Sequence, residues 1–219
     1  MKQFFFITAL TVVFLQACNN TSLKSSCNDY DTIGNVVINK SKIPDGYASG
    51  KGTEFIPNTK AEHNLVSQSN TYNQALLNGN VDEMKRYFYK ECLDYYKKYR
   101  PDLSTEEILD EFLSMISEDY IKTLHEYEKH GIEISMYIND IVRKVEYGDD
   151  YLYVYGICGR MGGYKNDSLV YLHSTMPDLT IGVSHNKGKN WTFMAMTDEV
   201  PSILVINYPQ SVVDEVMGY

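Results

Sequence analysis

The sequence predicts an α+β fold, with N-terminal helices packed on a bent antiparallel sheet. Three observations predict it. From about residue 61 to residue 130, apolar side chains recur at three- and four-residue spacing, the period of an amphipathic helix. From Ile132 onward the period becomes two, the signature of strands. Helices therefore come first and strands second, instead of alternating, and that order belongs to α+β architectures. The third observation is a slip in strand phase near Asp140, where a β-bulge would bend a long strand.

The chain begins with a segment that reads as an address. Lys2 gives a positive start, and Phe4 to Leu15 is almost wholly apolar. That run is too short for a bilayer-crossing helix, which needs about 20 residues, and it has the proportions of a signal-peptide core. It ends Leu15-Gln16-Ala17-Cys18. This resembles the lipobox of bacterial lipoproteins, which implies cleavage after residue 17 and lipidation of Cys18. Several acyl chains on one residue would make a stable anchor, because each buried methylene contributes about 0.8 kcal/mol. The expected address is the cell envelope, as an outer-membrane lipoprotein facing the periplasm.

Residues 18–60 are rich in Asn, Ser, Thr, Lys and Gly and read as a lipidated Cys followed by a flexible tether. Only Asn35 to Asn39 has the character of a short strand. Gly46-Tyr47-Ala48-Ser49-Gly50-Lys51-Gly52-Thr53 looks like a phosphate-binding loop but miscounts it. Such a loop needs four residues between its glycines and Ser or Thr after Lys.

The first helix is expected from about Ala61 to Leu77, with Leu65, Tyr72 and Leu76 on one face and Asn78-Gly79 as its stop. Asn80 can cap a second helix, with Glu83 three residues on. Met84, Phe88, Cys92, Tyr95 and Tyr99 form its stripe, and Pro101 ends it. A third helix opens at the capping box Ser104 to Glu107. It carries Leu109, Phe112, Leu113, Ile116, Tyr120, Leu124 and Tyr127 to a stop at His130-Gly131. Its many acids read as a solvated face or as a partner surface.

Five strands follow. The first begins at Ile132 and is phase-shifted at Asp140. Gly148-Asp149-Asp150 turns into Tyr151 to Arg160, where Tyr151, Tyr153 and Tyr155 share one face and Leu152, Val154 and Cys158 the other. Leu169 to Thr175, Leu179 to His185 and Trp191 to Thr197 complete an expected meander. The tail, with Val212, Val213 and Val216, is expected to be helical at the edge of the domain.

Residues 61–200 in this layout resemble the NTF2-like (SnoaL-like) superfamily. The residues that carry the resemblance are Tyr72 to Met84, a helix, Gly turn and second helix, and Asn190-Trp191-Thr192-Phe193-Met194, an aromatic strand after a basic Gly turn. The resemblance implies an α+β cone, in a domain over residues 61–219 that includes a C-terminal extension. Such cones usually enclose a pocket, and enzyme members place an Asp and a His in it. The whole is similar to uncharacterised lipoproteins of Bacteroidota.

Composition narrows function. The 219 residues carry 20 Lys+Arg against 29 Asp+Glu. Removing residues 1–17 leaves 19 basic against those 29 acidic side chains, net −10. That balance argues against nucleic acid as a partner. Beyond Cys18 lie Cys27, Cys92 and Cys158, with no CxxC, so neither a redox motif nor a zinc ribbon is on offer. Cys92 and Cys158 read as buried free thiols or as a bridge. His125 and His130 are five apart, about 140° around a helix, and cannot share a metal as a four-residue spacing would. No metal or cofactor is expected.

Asp140 and His173 form the best acid–base pair, if both face the cone. Nineteen Tyr is the most unusual count. Tyr87, Tyr95, Tyr153 and Tyr155 are candidates to line a ligand site, against a reading of plain packing. The expectation is a non-enzymatic anchored domain that binds a small apolar or amphiphilic ligand, or a protein partner. An isomerase- or hydratase-like enzyme using Asp140 and His173 and a purely structural interaction protein are the alternatives.

Overall fold

The structure, a computed structural model, describes residues 30–33, 36–39, 46–114, 118–129, 131–165 and 168–219. The leader, Cys18 and Cys27 lie outside the described residues, and so does His130. The fold is α+β, with helices on a six-stranded antiparallel bent sheet.

A small hairpin pairs β1 (Tyr30–Ile33) with β2 (Val36–Asn39). β3 (Tyr47–Ser49) lies in the stretch read as tether, yet it joins the main sheet. Five helices follow: α1 (Lys60–Leu77), α2 (Val81–Tyr87), α3 (Glu91–Lys97), α4 (Thr105–Ser114) and α5 (Glu118–Lys129). The strands β4 (Ile132–Tyr147), β5 (Asp150–Lys165), β6 (Ser168–Ser174), β7 (Asp178–Ser184) and β8 (Thr192–Ala195) come next. α6 (Val200–Leu204) and α7 (Gln210–Met217) end the chain.

Local chemistry sets the boundaries. Thr59 and Glu62 make a reciprocal capping box at the start of α1, and Gly79 takes φ +64° just past its end. Asn80 accepts the Glu83 N–H at 3.1 Å, and Ser104 and Glu107 cap one another. The expected single helix across residues 80–100 is instead two. Phe88 is extended and bridges Phe193 on β8, and the Tyr89 N–H donates to the Phe193 carbonyl at 3.0 Å. The backbone at residues 88–89 thus satisfies the free edge of β8, which a continuous helix could not do. The stripe expected on one long third helix is carried by α4 and α5, and residues 115–117 between them lie outside the described residues.

β5 organises the sheet. One edge pairs with β4 from Asp150 to Gly163. The other edge pairs with β7 over Tyr151 to Ile157 and with β6 over Arg160 to Lys165. The expected meander is therefore corrected: β7 returns to β5 and does not sit beyond β6. The bend falls where the two halves part. β4 carries register shifts at Ile138/Asp140 and Ile141/Arg143, as the phase slip predicts. A Cβ on Gly156 at that point would lie 2.3 Å from the Asn139 side chain and 2.7 Å from Pro177.

Both faces of β5 are buried. On the inner face Tyr153, Tyr155 and Ile157 pack with Ile138, Phe193, Trp191 and Leu65 of α1. On the outer face Leu152 and Val154 pack with Val145, Ile181, Val183 and Met194 beneath Cys92 and the α6–α7 residues Ile203, Leu204, Val213 and Val216. The alternation of Tyr with Leu and Val along β5 is thus two cores sharing one strand. The tail is helical and buries Val212, Val213 and Val216, as its pattern predicts.

Candidate functional site

Three groupings of functional side chains lie on this scaffold. The first is the inner face, where a cone would hold a ligand. It is occupied by the chain's own rings. Tyr155 and Leu65 are 0% exposed, and Trp191 and Phe193 are 1% exposed. Phe193 lies 5.5 Å from Tyr72, 6.0 Å from Tyr87 and 6.2 Å from Tyr155 between ring centroids. Trp191 lies 5.0 Å from Tyr153. Of the four tyrosines read as ligand candidates, Tyr87, Tyr153 and Tyr155 join this aromatic core. Tyr95 stands apart on α3 against Tyr96 and Tyr99. Burial pushes the Tyr72 hydroxyl up to about 12, with a smaller contribution from Cys92. It pushes Tyr155 higher still.

Two polar features cross that face. Glu62, 2% exposed, accepts from Lys144 and from the backbone N–H groups of Asn58 at 2.6 Å and Thr59 at 3.0 Å. Burial alone would raise its carboxyl, but these hydrogen bonds outweigh burial and hold it below the usual range. Farther along α1, Ser69 meets the Tyr155 hydroxyl at 3.4 Å. The amide nitrogen of Asn73, one turn on, is buried with no partner among the described residues.

The second grouping is the Asp140–His173 pair, which the structure does not assemble. Asp140 stands opposite Gly156, and His173 stands opposite Arg160, on the two edges of β5. Four residues of β5 and two strand spacings separate them, about 13 Å along and about 10 Å across. Both lie on the outer face, turned away from the helix α1 that would roof a cone. His173 Nδ1 instead sits 2.9 Å from the Gly50 carbonyl, and Asp140 is exposed. One sheet supplies both residues, but at distant rungs, so the two side chains are not brought within reach of one another.

The third grouping was not visible in the sequence. His185, just past β7, has Nδ1 3.0 Å from Asp150 and Nε2 3.7 Å from Glu91. Tyr208 donates to the same Asp150 oxygen at 2.9 Å. These residues come from β5, α3 and the α6–α7 connection, so no local motif announces them.

Cys92 and Cys158 are both free and buried, so the bridge left open by the sequence is not formed. Among the described residues no group of three or more His, Cys, Asp or Glu is placed to hold a metal ion. Among them also, no helix is long and apolar enough to cross a membrane. Lys51, central to the apparent phosphate loop, reaches over the Tyr171 ring at 4.8 Å, and the next helix, α1, begins only at Lys60, beyond the loop.

Comparison of the chain with protein-family models, curated proteins and solved structures returns no match.

Proposed function

We propose that the chain is a bacterial lipoprotein, anchored in the cell envelope through Cys18, whose NTF2-like domain works without catalysis by binding a protein partner on its outside. The anchor rests on Leu15-Gln16-Ala17-Cys18 and the apolar run before it. The observation that carries the mode of action is the closed inner face. Trp191, Phe193, Tyr155 and Leu65 fill the inner face of the sheet, each at 1% exposure or less. Recognition on such a domain falls to surface residues and not to a lined cavity.

A second reading is favoured by one observation. Among the described residues the Asn73 amide is buried without a partner, in the stripe that also carries Ser69. A small ligand with a carbonyl acceptor would satisfy it.

Native mass spectrometry of the full-length protein, extracted with its anchor in mild detergent, separates these readings. A lipid-modified N-terminus and a second polypeptide at fixed stoichiometry are the expected result. A bound small mass in place of the polypeptide favours the cone as a ligand site. A bare, unlipidated monomer overturns both the anchor and the partner.

A further inference from the structure

We propose that the exposed side of α1, with the turn into α2, is a binding site for a neutral sugar. From Asn64 to Asn80, seventeen residues include seven Asn or Gln and no Asp, Glu, Lys, Arg or His, in a chain that is 22% charged. A helix face that meets only water is served better by Lys and Glu, which are good helix formers, whereas Asn is a poor one. Some of these amides have structural work. Asn64 donates to the Gly188 carbonyl at 2.8 Å. Gln68 donates to the Lys189 carbonyl and accepts the Trp191 N–H, both at 2.9 Å, so the two tie α1 to the turn before β8. Asn73 is buried beside Ser69. The rest are the exposed Asn70, Gln74 and Asn78, four apart along one side of the helix, and Asn80 at the α2 cap. The Asn70 amide has no partner among the described residues. Gln74 reaches Asn78 only at 3.4 Å, and Asn80 spends its oxygen on the Glu83 N–H.

These four amides without structural work line a cleft of about 470 Å³, together with Ala75 and Glu83. Small-ligand sites run from about 300 to 1,000 Å³. Among the described residues lining it there is no Lys, Arg or His, so a phosphate or carboxylate meets no counter-charge. Ala75 is the one apolar side chain there, so a lipid or an aromatic ring buries little area. Glu83, already paired with Arg86 at 2.9 Å, offers oxygens that only accept. What remains is a row of groups that donate and accept side by side, because a side-chain amide does both. A hydroxyl also does both. Neighbouring hydroxyls of a sugar ring match the row, each accepting from an amide nitrogen and donating to an amide or carboxylate oxygen. The site rests neither on the anchor nor on the closed inner face.

The test is saturation-transfer NMR on the full chain, in a detergent without a sugar headgroup. The probes are maltotriose, cellotriose and tri-N-acetylchitotriose at millimolar concentration, with inorganic phosphate as competitor. At least one sugar is expected to receive saturation from the protein, and phosphate is expected to leave that signal unchanged. The double variant Asn70→Ala, Gln74→Ala should weaken the affinity about tenfold, the weight of two hydrogen bonds. Alanine favours the helix, so the variant keeps its fold, and an unfolding midpoint at or above that of the parent checks this. Asn70→Gln, which keeps an amide at the same place, should retain most of the binding. Silence from all three sugars overturns the proposal. So does a signal that the double variant leaves intact, or one that phosphate displaces.

Discussion

Arg160 lies over the ring of Tyr137, its guanidinium carbon 4.3 Å from the ring centroid. The two residues belong to neighbouring strands on the outer face, since Tyr137 stands opposite Cys158 in the β4–β5 ladder. The stack is also the point where the segment after β3 is fastened. Arg160 Nε donates to the Lys51 carbonyl at 2.7 Å, and its terminal nitrogen pairs with Glu54 at 2.7 Å. Farther on, the Phe55 N–H donates to the Ile138 carbonyl at 2.8 Å. The segment from Gly50 to Phe55 thus crosses the second half of the sheet as a strap.

Gly52 is where that strap comes closest. Its φ is +72°, and a Cβ there would fall 1.8 Å from the Tyr137 hydroxyl oxygen and 2.9 Å from His173. Gly52→Ala must both enter an unfavourable backbone region and displace Tyr137. We expect it to cost about 2–3 kcal/mol. Gly50 has φ +111° with nothing within 4 Å of a built Cβ, so Gly50→Ala reports the backbone cost alone. Urea midpoints of the two variants check the difference, and Gly52→Ala should fall clearly below Gly50→Ala.

Glu62 gives the fold an acid-sensitive joint. It caps α1 and receives Lys144 from β4 while 2% exposed. Its carboxyl is held below its unfolded value, so its contribution is present above about pH 4.3 and lost as pH falls through the lower folded value. Glu62→Gln should cost about 1–3 kcal/mol at pH 7. The parent and variant curves of stability against pH should then converge in acid. Lys144 is 43% exposed, so Lys144→Met should cost less, under about 1 kcal/mol.

The sequence carried the order of elements well, because hydrophobic period is a local property. The switch at Ile132, the bulge at Asp140 and the tail stripe at Val212, Val213 and Val216 were all legible. The break at Phe88 was not, because Met84, Phe88, Cys92 and Tyr95 keep helical spacing across it, and only the edge of β8 explains it. Pairing was equally hidden. Nothing in Asp178 to Ser184 tells that it returns to β5 instead of β6. Site residues fared worst for the same reason. Asp140 and His173 were matched by type and strand position, yet their rungs lie far apart. Glu91, Asp150, His185 and Tyr208 are brought together only by the fold.

The two described thiols should be inert in the native protein. Burial, aided by Glu91, pushes the Cys92 thiol up to about 12, and its sulfur packs 3.9 Å from that of Met194. Burial raises Cys158 as well. Thiolate is the reactive form, so a charged alkylating reagent at pH 8 should leave both unmodified. Both should react once the chain is unfolded without reductant. Peptide mass mapping reads this directly, and a Cys92–Cys158 peptide in the unreduced digest would contradict it.

The closed inner face makes the sharpest prediction, because it can be opened by one substitution. Leu65 is 0% exposed, and a Cβ on Gly182 would lie 2.9 Å from its δ-carbon, so the site has no slack to collapse into. Leu65→Ala should cost about 2–5 kcal/mol and leave a dry apolar cavity among Tyr155, Trp191 and Phe193. Such a cavity takes up benzene or xenon where a filled core does not. Asn73→Leu removes an unpartnered buried amide and should be neutral or stabilising, which excludes general fragility of α1 as the cause. We therefore expect benzene to raise the unfolding midpoint of Leu65→Ala and to leave the parent unchanged. A parent that binds the probe equally well has an open cone, and the external partner surface then loses its main support.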